Sequence, residues 1–149
     1  MISKKKMIEK ASEDTVILVL EDEQPLLDVI RIKLEKSGYE VITARSVEQA
    51  LDYVKSLPHI HAMWVDHYLL GNEDALDFVK QVKKKNGKWA DVPVLVVSNT
   101  VSDDKISAYL SMGVNKFYIK AQHTLDEIVG DLKKCIDDPE HCPVAQDNN

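Results

Sequence analysis

The sequence is short of cysteine, of long apolar runs and of positive charge, and each shortage excludes a class of protein. Two cysteines, Cys135 and Cys142, in 149 residues cannot build a disulfide framework, so free thiols and a cytoplasmic setting are expected. The longest apolar runs, Val16–Leu20 and Val92–Val97, fall far short of a membrane span. The opening stretch MISKKKMIEKASED has lysines with no apolar segment behind them, so no signal peptide is expected there. Basic side chains number 19 against 25 acidic ones, a net charge of −6. That balance disfavours a nucleic-acid backbone or an anionic membrane as the main partner. No helix-turn-helix or basic stripe is present to read DNA.

What is present is a 44% apolar content, enough for the core of one domain. It is concentrated in five short runs: Val16–Leu20, Tyr39–Thr43, Ile60–Val65, Val92–Val97 and Lys116–Ile119. Most are β-branched and nearly continuous, which suits parallel strands covered on both faces. Helical spacing fills the gaps, as in Leu26, Ile30 and Leu34, or Val47, Ala50, Leu51 and Val54. The same spacing recurs in Ala75, Phe78, Val79 and Val82, and in Leu125, Ile128, Val129, Leu132 and Ile136. Ser46 with Gln49 and Thr124 with Glu127 stand at capping-box spacing, and Gly38 and Gly113 fall where the first and fourth helices should stop. The expected class is α/β, a three-layer doubly wound (βα)5 domain with units of roughly 25 residues and no further repeat. Residues 15–136 form that domain. Residues 1–14 lack periodicity and read as a flexible N-terminal tail, and 137–149 as an acidic, polar C-terminal tail.

In open parallel sheets the functional site lies beyond the carboxyl ends of the strands. Glu21 and Asp22 follow the first run, Asp66 the third, Ser98 the fourth and Lys120 the fifth. The second ends quietly in Thr43-Ala44. Each polar residue alone is an ordinary turn or surface residue; together they are specific. Three converging carboxylates repel one another and are costly to bury without a partner. A divalent cation resolves this, and an all-oxygen donor set favours Mg2+ or Mn2+. A serine hydroxyl and a lysine ammonium opposite them make a place for a dianion such as a phosphoryl group.

These residues sit in the segments VILVLEDEQPLL, GYEVITARSVEQAL, AMWVDHYLLGNEDALDFVK, VPVLVVSNT and SMGVNKFYIKA. From about Thr15 to Ile136 the chain thereby resembles the receiver domain of two-component response regulators, of the single-domain chemotaxis type. The resemblance implies the flavodoxin-like fold with strand order 2-1-3-4-5. It implies that Asp66 is the phosphoacceptor, served by a histidine kinase or a histidine phosphotransfer protein in a two-component or phosphorelay system. Asp22, Asp66 and the backbone carbonyl of Tyr68 would hold Mg2+, with Glu21 acting through a water. Ser98 and Lys120 would engage the phosphoryl group, and Phe117 would be the switch aromatic that follows Ser98. The response would reach a downstream protein target through the surface of the fourth helix, fifth strand and fifth helix. Tyr109, Phe117 and Tyr118 are the candidate contacts there, and a weak homodimer through the same face is an alternative to a monomer. Such a chain is a signalling phosphoacceptor rather than an enzyme, and with no effector domain after Ile136 its output is expected to be a protein contact or onward phosphotransfer.

The chain departs from the family pattern in several places. Glu21 replaces the commoner Asp, Leu70 stands where proline is frequent, and Tyr68 and Asn99 are bulky neighbours of the site. Tyr68 and Asn99 are expected to hinder water and slow self-dephosphorylation. Ala121 replaces the proline of a cis bond; a cis bond here costs roughly 3 kcal/mol, so either strain or a trans peptide with a displaced Lys120 is expected. A phosphohydrolase of the haloacid dehalogenase type would need an aspartate where Tyr68 stands. A flavin or nucleotide carrier would need a phosphate loop where Glu21-Asp22-Glu23 stands. The remaining rival is a degenerate receiver acting as a phosphorylation-independent interaction module. The histidines at 59, 61 and 141 lack zinc-ligand spacing.

Overall fold

The computed structural model describes residues 14–69, 75–99 and 102–142. Five strands, β1 (Val16–Leu20), β2 (Glu40–Ala44), β3 (Ala62–Asp66), β4 (Val94–Ser98) and β5 (Lys116–Ile119), form one parallel sheet in the order β2-β1-β3-β4-β5. Between them run α1 (Gln24–Lys36), α2 (Val47–Ser56), α3 (Leu76–Val82), α4 (Asp103–Ser111) and α5 (Leu125–Asp137). This is the expected doubly wound flavodoxin-like architecture. Every residue of the central strands β3 and β4 is buried, whereas the edge strand β2 is mostly half-exposed. That explains why the inner runs read as continuous apolar segments.

Strand alternation splits the core into two layers. Leu18, Leu20, Met63, Val65, Val94 and Val96 pack with α2, α3 and α4, while Ile17, Val19, Trp64, Leu95, Val97 and Tyr118 pack with α1 and α5. The helix ends follow sequence. Gly38 and Gly113 take φ of +97° and +100° after α1 and α4, a region that a Cβ disfavours. Thr124 and Glu127 close a reciprocal capping box at the start of α5. At α2 the Ser46 hydroxyl accepts from the Gln49 N–H, but the Gln49 side chain reaches past the cap to the N–H of Arg45.

Three expectations change. Cys135 and Cys142 are not free thiols but are joined in a disulfide, because the chain after α5 turns back through a short 3-10 turn at Pro139–His141. The C-terminal segment expected to be a solvated tail from 137 is thus structured as far as Cys142. Cys142 lies beside Asn115 at the amino end of β5, away from Lys120. The described peptide bonds include no cis bond, so Lys120-Ala121 is trans. The proposed tail residues 1–13 and 143–149, and Leu70, lie outside the described residues.

The capping box gives a direct stability test. Thr124→Ala is expected to lower the unfolding free energy by about 1 kcal/mol, moving the urea midpoint down with its slope unchanged. An unchanged midpoint would show that the cap contributes nothing to α5.

Candidate functional site

The parallel register sets the carboxyl ends of β1, β3, β4 and β5 side by side, with Leu20 opposite Val65, Asp66 opposite Val97 and Ser98 opposite Ile119. Residues at and just beyond these ends meet in an open cleft of about 250 Å³ whose lining includes Asp22, Asp66, Tyr68, Ser98, Asn99 and Lys120. Ligand oxygens of Glu21, Asp22 and Asp66 all lie within 4.8 Å of one another. The Lys120 ammonium stands 3.5 Å from Glu21 Oε1 and 3.7 Å from Asp66 Oδ2. The trans peptide after it therefore does not remove Lys120 from the site.

The electrostatics of this cluster are unbalanced. Glu21 is 1% exposed and Asp66 is 5% exposed, so two carboxylates and one ammonium share a poorly hydrated space with Asp22 at its edge. Burial, and then the charge of Asp66, push the Glu21 carboxyl up to about 7, although Lys120 and the Glu23 N–H pull it down. Burial also raises Asp66, against the pull of Lys120 and of the Tyr68 N–H. One Lys120 cannot neutralise three carboxylates. Among the described residues no hydrogen bond reaches Glu21 Oε1 or the fully buried Ser98 hydroxyl. The carboxylate oxygens fit a hard divalent cation, and the hydroxyl fits an incoming acceptor.

Of the residues expected at the site, the structure thus brings Glu21, Asp22, Asp66, Ser98, Lys120 and Tyr68 together. Phe117 lies on the α4 side of β5, partly buried against the core. Tyr109 and Tyr118 do not form an exposed partner surface, since both are fully buried. The Tyr109 hydroxyl lies 2.5 Å from His67 Nδ1. The Tyr118 hydroxyl donates to Asp131 Oδ2 at 2.6 Å, between β5 and α5. A phenol placed in an apolar layer needs such a partner.

Two contributors were given no role from sequence. Arg45 donates through Nε and Nη2 to the carbonyl of Asp22, at 3.1 and 2.7 Å, and so steadies the acidic turn. Its signal was positional: Leu20 pairs with Ala44, so the residue after β2 faces the residues after β1. His67, adjacent to Asp66, is wholly buried, which a histidine in a loop position does not announce.

The comparisons agree with this fold. A sequence profile of the response regulator receiver domain matches residues 17–133, and the chain belongs to that family. It is 31% identical over 123 residues to the transcriptional regulatory protein KdpE of two strains of Mycobacterium tuberculosis. The match takes in 82% of this chain and 51% of KdpE, so the chain spans about half the length of those curated relatives. Among solved structures, a CheY-like receiver from Methanospirillum hungatei JF-1 is similar with a TM-score of 0.75 and 20% identity, over 86% of this chain and 98% of that one. The Mn2+-bound form of the response regulator Rcp1 is similar with a TM-score of 0.68 and 20% identity, over 80% and 92%. No helix among the described residues is long and apolar enough to cross a membrane.

The charge imbalance predicts an inverted mutational effect. With metal chelated at neutral pH, Glu21→Gln is expected to be more stable than the wild type by roughly 1–2 kcal/mol, since it removes a buried, repelled carboxylate. Mg2+ is expected to narrow the gap by stabilising the wild type more. A lower urea midpoint for Glu21→Gln under chelation would contradict the repulsion.

Proposed function

We propose that this receiver accepts a phosphoryl group on Asp66 from a histidine kinase or histidine phosphotransfer protein in the cytoplasm. The observation that carries the proposal is the pairing of a buried Asp66, 3.7 Å from Lys120, with a buried Ser98 hydroxyl that has no hydrogen-bond partner among the described residues. In the transfer an Asp66 oxygen attacks phosphorus, the P–N bond to the donor imidazole breaks, and an acyl phosphate forms as the imidazole leaves and takes up a proton. Lys120 balances the new charge beside Asp66. Ser98 supplies its hydroxyl hydrogen to a phosphoryl oxygen. The Tyr68 N–H, already directed at the Asp66 carboxylate, helps to fix the attacking group.

Asp22, Asp66 and the Tyr68 carbonyl would hold Mg2+, or Mn2+ in its place, and Glu21 would act through a water. When bound it supplies positive charge that relieves carboxylate repulsion and draws in the phosphoryl donor. Arg45 holds the Asp22 backbone for this purpose. The similarity to a Mn2+-bound response regulator supports the metal assignment. The similarity to KdpE, a transcriptional regulatory protein, supports a signalling role, and the output is proposed to reach a downstream protein target. The chain acts as a phosphoacceptor and not as a turnover enzyme. Modification adds nearly two negative charges, to which the surface of α4, β5 and α5 responds through Phe117.

Incubation with acetyl phosphate and Mg2+, followed by intact mass, is expected to give one phosphoryl adduct that Asp66→Asn abolishes. No adduct, or one that survives in Asp66→Asn, would favour the phosphorylation-independent interaction module instead. The half-life of the adduct is a second test. Tyr68 is 52% exposed at the cleft, where its ring and Asn99 obstruct water. Tyr68→Asn is expected to shorten the half-life severalfold, and an unchanged half-life would contradict the shielding.

A further inference from the structure

Phosphotransfer alone leaves one buried polar pair unexplained. His67 and Tyr109 are both 0% exposed, and Tyr109 is the buried residue of α4. The Tyr109 hydroxyl and His67 Nδ1 lie 2.5 Å apart, and the two rings meet edge to face at 5.4 Å. Polar groups inside an apolar layer are costly unless bonded, so each of these holds the other in place. His67 directly follows Asp66 at the end of β3. Tyr109 belongs to α4, and its ring packs against Phe117 of β5, with centroids 5.8 Å apart. Asp66, His67, Tyr109 and Phe117 therefore form a continuous physical path from the phosphoacceptor to the responding surface.

We propose that the His67–Tyr109 hydrogen bond is a latch that holds α4 in its unmodified position, making both side chains positioning residues for the response. The proposal rests on the reading of Asp66 as phosphoacceptor. His67 is itself wholly buried and directly follows the buried strand β3, so it is held to the sheet while Tyr109 travels with α4. Movement of α4 relative to the sheet stretches the bond, and the bond therefore weights the equilibrium toward the resting arrangement. One hydrogen bond of ordinary net strength weights a two-state equilibrium about fivefold.

The test uses beryllofluoride with Mg2+, which occupies the place of a phosphoryl group on Asp66, together with amide hydrogen exchange of α4 in the full chain. Tyr109→Phe keeps the ring and removes only the hydroxyl. It is expected to bind beryllofluoride about fivefold more tightly and to exchange α4 amides faster in the free form, the exchange difference vanishing in the bound form. His67→Leu is expected to behave alike, and His67→Asn, whose amide lies near the Nδ1 position, to restore wild-type affinity. A pair with a packing role only would shift the unfolding midpoint and leave the affinity unchanged. Unchanged or weakened affinity in Tyr109→Phe, with the wild type binding normally, would overturn the latch and leave the phosphoacceptor standing. A wild type that binds no beryllofluoride would overturn the phosphoacceptor reading, and the latch with it.

Discussion

The structure is organised around carboxylates held closer together than they would lie in water. Parallel pairing of β1 with β3 delivers Glu21, Asp22 and Asp66 to one end of the sheet, and the surrounding core removes much of the water that would separate their charges. Lys120 offsets part of the repulsion from the far side. The remainder leaves a cluster of carboxylates that could hold a hard cation. A sheet able to impose such a cluster must be stable for other reasons, and the fully buried β3 and β4 provide them.

Each side of the sheet contributes differently. The α1 and α5 layer is tied by apolar contacts and by the bond from Tyr118 to Asp131, and the Cys135–Cys142 bridge ties the last turn of α5 to the segment that follows it. The α4 side is different. There a single buried residue, Tyr109, anchors a short helix whose other side chains are half-exposed or exposed. A helix held by few buried groups moves at lower cost than one embedded in the core. Among the described helices, α4 is thus the one with the fewest buried side chains.

Much of this was legible in sequence. The strand runs β1 and β5 were located without error, and the others were displaced by one or two residues, because Tyr39, Ile60 and Val92 are apolar residues of the approaching loops rather than of the sheet. The site residues were legible because each interrupts an apolar run with a polar side chain. The orientation of Tyr109 and Tyr118 was not, since the helix around Tyr109 has too few apolar neighbours to define its inner face, and β5 alternates over only four residues. Arg45 and His67 were hidden for a related reason: both act on groups supplied by other elements. The disulfide depends on a reversal of the chain after α5 that two isolated cysteines do not signal.

The central claim is that Asp66 is the residue that carries the phosphoryl group. Reductive trapping with borohydride, followed by peptide mapping, tests it at the level of the single residue. After treatment with acetyl phosphate and Mg2+, Asp66 is expected to be recovered as homoserine, with Glu21 and Asp22 unchanged. Homoserine arising at another aspartate, or an unreduced Asp66 in protein that carries a phosphoryl group, would contradict the account.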